Sequence, residues 1–146
     1  MTAPAEAIAQ GRQARKEGKL SLARAHYAEA AKILHEQKDT LAYAHAIRHI
    51  ADMYQQECSL TEAKPLYEEA LELYRSNLGT ILLDLANTVR PYALLNESLG
   101  NADFARTLWE EARQLYTSLR LHVGVCECED HILRLNALDP LAGPPD

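Results

Sequence analysis

His45 and His49 stand four residues apart, with Asp52 one turn further on. On a helix that spacing puts two imidazoles and a carboxylate along one face, the start of a metal site. The glutamate that lies between the two histidines of the zinc-protease helix motif is absent, and no third strong ligand is close in sequence. The expectation is therefore no metal and no cofactor. The two histidines read as groove or surface residues whose charge near neutral pH tunes binding. A metal- or small-molecule-responsive regulator built on them is the weakest of three functional readings. Cys126 and Cys128 form a Cys-x-Cys pair. Residues two apart on a helix point in nearly opposite directions, so one should be buried as a small hydrophobe and the other should reach solvent. No nucleophile–base–acid order, glycine-rich phosphate loop or carboxylate pair sits in a strand–turn–helix context, so the chain is not expected to be an enzyme.

Positioning such groups falls to helices. The chain has 146 residues, 47% hydrophobic and 25% charged, the balance of a soluble protein with one core. It has no apolar run long enough for a membrane span and no secretory signal at its first residues. Three cysteines are too few for a disulfide framework, which makes a reducing cytoplasm the default. A formal net charge of −6 argues against nucleic acid as the partner, because phosphate needs a basic face.

Aligned on itself, the chain shows three related segments: GKLSLARAHYAEAAKIL from Gly18, CSLTEAKPLYEEALELY from Cys58 and GNADFARTLWEEARQLY from Gly100. A small residue recurs at Ala23, Ala63 and Ala105. Four residues on come Tyr27, Tyr67 and Trp109, then a second small residue at Ala30, Ala70 and Ala112. Leu34, Tyr74 and Tyr116 continue the stripe. Offsets of three, four and seven place all of them on one helix face, where alanine admits a close neighbour and the ring fills the space beside it. The aromatic column therefore reads as packing rather than as a stacking platform. The segments are 40 and 42 residues apart. Preceding helices match through Ile47, Ile50, Ala51 and Tyr54 against Val89, Tyr92, Ala93 and Asn96, and more weakly through Ala7, Gln10, Gly11 and Ala14. Each unit is helix, tight turn, helix. Gly18, Cys58 and Gly100 mark turns where a left-handed backbone is useful, and Ser59 with Glu62 reads as a capping box. Pro91, in mid-helix, predicts a kink near Asn87 rather than a break.

The small–aromatic–small column resembles the tetratricopeptide repeat (TPR), and the 42-residue step resembles the longer variant of kinesin light chains. That resemblance implies an all-α, right-handed α-solenoid of seven helices in one domain, 1–138. It would hold TPR-like hairpins at about 4–38, 40–77 and 80–119, a capping helix at 122–137 and a flexible tail at 139–146. Val125, Ile132, Leu133 and Leu135 are the expected covering residues of the cap, which solenoids need for solubility.

The resemblance also implies a function. TPR hairpins line a concave groove with their first helices, and here that assigns Ile8, Arg12, Arg15 and Lys16, then His45, Arg48, His49, Asp52, Gln55 and Gln56, then Asn87, Arg90, Leu94, Glu97 and Ser98. An acidic chain would thus carry a basic strip, Arg12–Arg15–Arg48–Arg90, on its inner wall, with acids on the return helices and the C-terminal third. The plainer account is local: Arg15 and Lys16 complement their own helix end, and Arg48 pairs with Asp52 four residues on. Ile8, His49 and Pro91 stand where the family's carboxylate clamp has its Lys and Asn, so a clamp for EEVD-like tails is not expected. The leading reading is a protein–protein interaction module that holds an acidic or mixed polar peptide. The alternative is a self-assembling unit, the chain being a monomer or weak homodimer.

Overall fold

The structure is a computed structural model and describes residues 3–138. These form seven helices: α1 (Pro4–Lys16), α2 (Leu20–Glu36), α3 (Thr40–Gln56), α4 (Leu60–Ser76), α5 (Leu82–Ser98), α6 (Ala102–Ser118) and α7 (His122–Leu138). No strand occurs among the described residues, and no helix is long and apolar enough to cross a membrane. The fold is the expected all-α helical-hairpin repeat. The expected tail, 139–146, lies outside the described residues. Two compact units divide the chain, Met1–Thr80 and Ile81–Asp146.

In the first unit α1 packs on α2, α2 on α3 and α3 on α4. Pro4 opens α1 at its first turn, where the missing N–H has no intrahelical partner to lose. The stripes Ala23–Tyr27–Ala30–Leu34 of α2 and Ala63–Tyr67–Ala70–Tyr74 of α4 are buried, together with Ala7, Ala14, Ile47, Ile50 and Ala51 on the facing helices. A methyl group at Gly11 would lie 2.7 Å from the Tyr27 ring; glycine there lets α1 rest directly on that ring. Tyr54 is half-buried, with the Arg24 guanidinium 4.4 Å above its ring.

In the second unit α6 packs on both α5 and α7. Ala105, Trp109, Ala112 and Tyr116 are buried, as are Val89, Tyr92, Ala93 and Asn96 of α5. α5 is continuous through Pro91. Helix α7 begins and ends 40 residues after α5, so it repeats the position of a first helix. Its cover differs from the expected one. Leu135 is buried, Val125 and Ile132 are half-buried, but Leu133 is 59% exposed. Its share is supplied by the His131 ring, stacked on Trp109 at 4.0 Å, and by Gly124, where a methyl group would strike the Tyr116 ring at 2.6 Å. Cys128 is buried and Cys126 exposed, the split expected of that pair. Burial pushes the Cys128 thiol up to about 12, so it stays protonated and unreactive.

Five of the six connections share one closure. Gly18, Lys38, Cys58, Gly100 and Arg120 all have positive φ. Each donates its N–H to a carbonyl three residues back, and the next residue donates to one five back, as in Gly18→Arg15 with Lys19→Ala14, and Arg120→Thr117 with Leu121→Tyr116. This is the Schellman closure, which satisfies two carbonyls of the ending helix. Glycine occupies only two of the five positions. The left-handed conformation strains residues with a Cβ, so Lys38→Gly, Cys58→Gly and Arg120→Gly should each stabilise the fold by about 0.5–1 kcal/mol, read as a higher urea midpoint. The sixth connection, between Ser76 and Leu82, is two residues longer and accounts for the 42-residue step. The capping box is not formed: the Ser59 side chain makes no cap hydrogen bond, and Glu62 accepts from Thr61 at 2.8 Å. α3 is the helix with a side-chain cap, Asp39 accepting from the Ala42 N–H at 3.4 Å.

Candidate functional site

The side chains that the resemblance assigns to a groove separate into those already engaged and those left with charge to spare. Asp52 is engaged twice: it accepts from Arg48 at 2.9 Å and from the buried Tyr67 hydroxyl at 2.6 Å. Gln55 donates to the same hydroxyl at 3.2 Å. Burial and the Asp52 charge raise the Tyr67 pKa far above its ordinary value, so the phenol remains a donor. The local pairing of Arg48 with Asp52 is thus present. It leaves the Arg48 Nε buried without an acceptor.

In the second unit the assigned residues are tied to α6 and α7. Asn87 accepts from the Tyr116 hydroxyl at 2.9 Å. Glu97 accepts from the Trp109 indole N–H at 2.6 Å and lies 2.7 Å from the His131 Nδ1. Arg90 makes a two-pronged pair with Glu127, at 2.5 and 2.9 Å, and that pairing holds the Glu127 carboxyl below the usual range. Leu94 is half-buried and carries no charge. Sequence reasoning did not foresee Glu127 and His131. Their four-residue spacing, a carboxylate and an imidazole on the helix that follows, was the available signal.

Arg12, Arg15, Lys16, His45 and His49 behave differently. Arg12 and Lys16 are exposed near the end of α1, with no ion pair among the described residues. Arg15 reaches across to α3, its Nη1 3.4 Å from the His49 Nδ1. The Nε2 atoms of His49 and His45 are 3.3 Å apart. If Arg15 donates to Nδ1 of His49, then His49 carries its proton on Nε2 and donates it to His45. The His49 ring is stacked on Tyr27 at 5.2 Å. Burial, then the charges of Arg48, His45, Arg15 and Arg12, push its pKa down to about 3. His49 is therefore neutral and adds no positive charge to this face.

That shift has a consequence for stability. In the unfolded chain the imidazole titrates near about 6.5. Below that pH the unfolded state takes up a proton that the folded state refuses, so stability falls as pH falls toward 3. Between pH 6.5 and 5.5 His49 should remove about 1 kcal/mol. Urea titrations at the two pH values would measure this, and His49→Phe should remove most of the difference.

As a metal site the cluster is incomplete. No group of three His, Cys, Asp or Glu side chains able to hold a metal occurs among the described residues, and Asp52 is committed to Arg48 and Tyr67. What α1 and α3 can do chemically is attract and hydrogen-bond an anion.

No protein-family model matches the chain, and no curated protein matches it. Thirty-six solved chains do. One is the crystal structure of BtubC (BKLC) from P. vanneervenii, with a TM-score of 0.68 and 18% identity, covering 98% of this chain and 66% of that one. BKLC has a TPR-like fold, so this likeness in fold agrees with the expectation drawn from the Ala–aromatic–Ala columns. The chain spans 66% of the length of BKLC.

Proposed function

We propose that this chain is a protein-interaction module that captures an acidic segment of a partner on the α1–α3 face of its first unit. TPR-like folds generally mediate protein–protein interaction and are typically non-enzymatic scaffolds, which supports the coarse part of the reading. The finer part rests on one observation. In a chain of net charge −6, Arg12, Arg15 and Lys16 share α1, Arg15 reaches the neutral His49 of α3, and the Asp52 carboxylate on α3 is already held by Arg48 and Tyr67.

The residues divide by role. Arg12, Arg15 and Lys16 supply charge, and His45 offers a ring edge. Arg48, paired with Asp52 and with its Nε buried, backs the face from within. His49 holds Arg15 and His45 in place while adding no charge of its own. Asp52, Gln55 and Tyr67 fix Arg48. Asn87, Arg90 and Glu97 are positional elements of the second unit rather than primary contacts, since their polar groups are engaged within it, and the half-buried Leu94 shares α5 with them. Preorganisation is the mechanism: side chains locked by packed helices lose little freedom when the peptide docks.

The test is fluorescence anisotropy with a labelled Glu/Asp-rich peptide of about ten residues, set against a Lys-rich peptide of equal length. The acidic peptide should bind and weaken steadily with added salt, as expected for screened charges. Equal binding of both peptides, or binding indifferent to salt, would remove the reading.

A further inference from the structure

A second feature of the first unit lies away from the α1–α3 face. A cleft of about 430 Å³ opens between the end of α2, the start of α3 and the middle of α4. Its floor is apolar, formed by Leu34 and Leu73, and its wall is Tyr43. The Tyr43 hydroxyl donates to Glu69 at 2.9 Å, and His35 meets the Tyr43 ring edge-on, centroids 5.2 Å apart. Burial and the Glu69 carboxylate push the Tyr43 phenol up to about 12, so the wall keeps its hydrogen bond across the physiological range. Lys38, Asp39 and Glu69, which carry charges of both signs, also line the cleft and are exposed.

Beside this cleft the turn after α4 presents Leu78, at 108% relative exposure the most exposed large hydrophobic side chain of the described residues. The turn is pinned. Gly79 donates to the Asn77 side chain at 2.8 Å, Thr80 donates its N–H to the Asn77 carbonyl at 3.2 Å, and the Thr80 hydroxyl donates to the Tyr74 carbonyl. A methyl group at Gly79 would fall 3.7 Å from the Leu41 side chain. The turn thus sits against the start of α3, the same end that gives Thr40 and Tyr43 to the cleft. A leucine held fully in water on an ordered turn has the form of an interface anchor, and an apolar-floored cleft on the same edge is a receptor for such an anchor.

We propose that this edge is a self-association surface, on which Leu78 of one copy enters the Leu34–Tyr43–Leu73 cleft of a second copy and receives that copy's Leu78 in return. Two features favour a second copy as the occupant. Anchor and receptor lie on one edge of one unit, as a two-fold, self-complementary interface demands. The rim carries Lys38 together with the acids Asp39 and Glu69, so a second copy brings a partner of opposite sign for each, whereas a strongly acidic or basic partner would meet one of them with like charge.

Sedimentation equilibrium of the full chain tests the proposal. The wild type should approach twice its 16.3 kDa as concentration rises. Leu78→Asp should stay at the single mass with an unchanged circular dichroism spectrum and melting temperature, because the side chain makes no buried contact in the monomer. Lys38→Glu should weaken the dimer by about 10-fold or more. A wild type that remains monomeric at its highest soluble concentration would overturn the proposal. So would a Leu78→Asp variant that associates as well as the wild type, or an open ladder of larger species in place of a dimer.

Discussion

Replacing Trp109 with alanine is expected to destabilise the protein by about 3–5 kcal/mol, the range for truncating a large buried aromatic side chain. Three interactions end together. Trp109 is fully buried between its alanine neighbours Ala105 and Ala112. Its ring carries His131 of α7 at 4.0 Å, and its indole N–H donates to Glu97 of α5 at 2.6 Å. The side chain therefore ties all three helices of the second unit, and the surrounding backbone cannot collapse into the space it leaves. Trp109→Phe separates the terms: it keeps most of the ring and removes one hydrogen bond to a carboxylate, at a cost of about 1.5–3 kcal/mol. Urea denaturation followed by circular dichroism measures both. An alanine variant within about 1 kcal/mol of wild type would mean that the aromatic column does not carry the packing.

The second large effect concerns binding. Arg12→Glu with Arg15→Glu changes the α1–α3 face by four charge units and should weaken capture of an acidic peptide on the order of 100-fold. The fold should tolerate the change: Arg12 is exposed, and Arg15 makes one long contact with His49. Lys32→Glu, an exposed reversal on α2, is the matched control and should alter affinity by less than about 2-fold. Anisotropy titrations at one fixed ionic strength compare the three proteins. A double variant that binds as tightly as the control would place the binding residues elsewhere.

The packing was legible because it is periodic. Alanine and aromatic residues three and four apart can share a stripe only on a helix, and three copies of the stripe define the hairpins without any knowledge of coordinates. The turns were legible where glycine marked them, at Gly18 and Gly100, and by alignment at Cys58. Lys38 and Arg120 adopt the same left-handed backbone without a residue type that announces it, because the helix closure there supplies the driving force. The basic residues of α1, α3 and α5 were also found from register. The partners that engage the second unit's residues were not. Arg90 with Glu127 and Trp109 with Glu97 join residues 37 and 12 positions apart, and such pairs depend on rotamers and on where α7 docks, which no local pattern encodes. Ser59 failed as a cap although Asp39, after the same closure and with ψ of 80°, caps α3: the longer Asp39 carboxylate reaches the Ala42 N–H, and the shorter serine side chain makes no cap hydrogen bond.

Backbone amide chemical-shift mapping of the isotope-labelled chain, titrated with the Glu/Asp-rich peptide, tests the central claim most directly. The account predicts saturable shifts concentrated at Arg12, Arg15, Lys16, His45 and His49, with Asn87, Arg90 and Glu97 little changed. Shifts clustered on α5–α7, or no saturable shift at peptide concentrations that saturate the anisotropy signal, would contradict it.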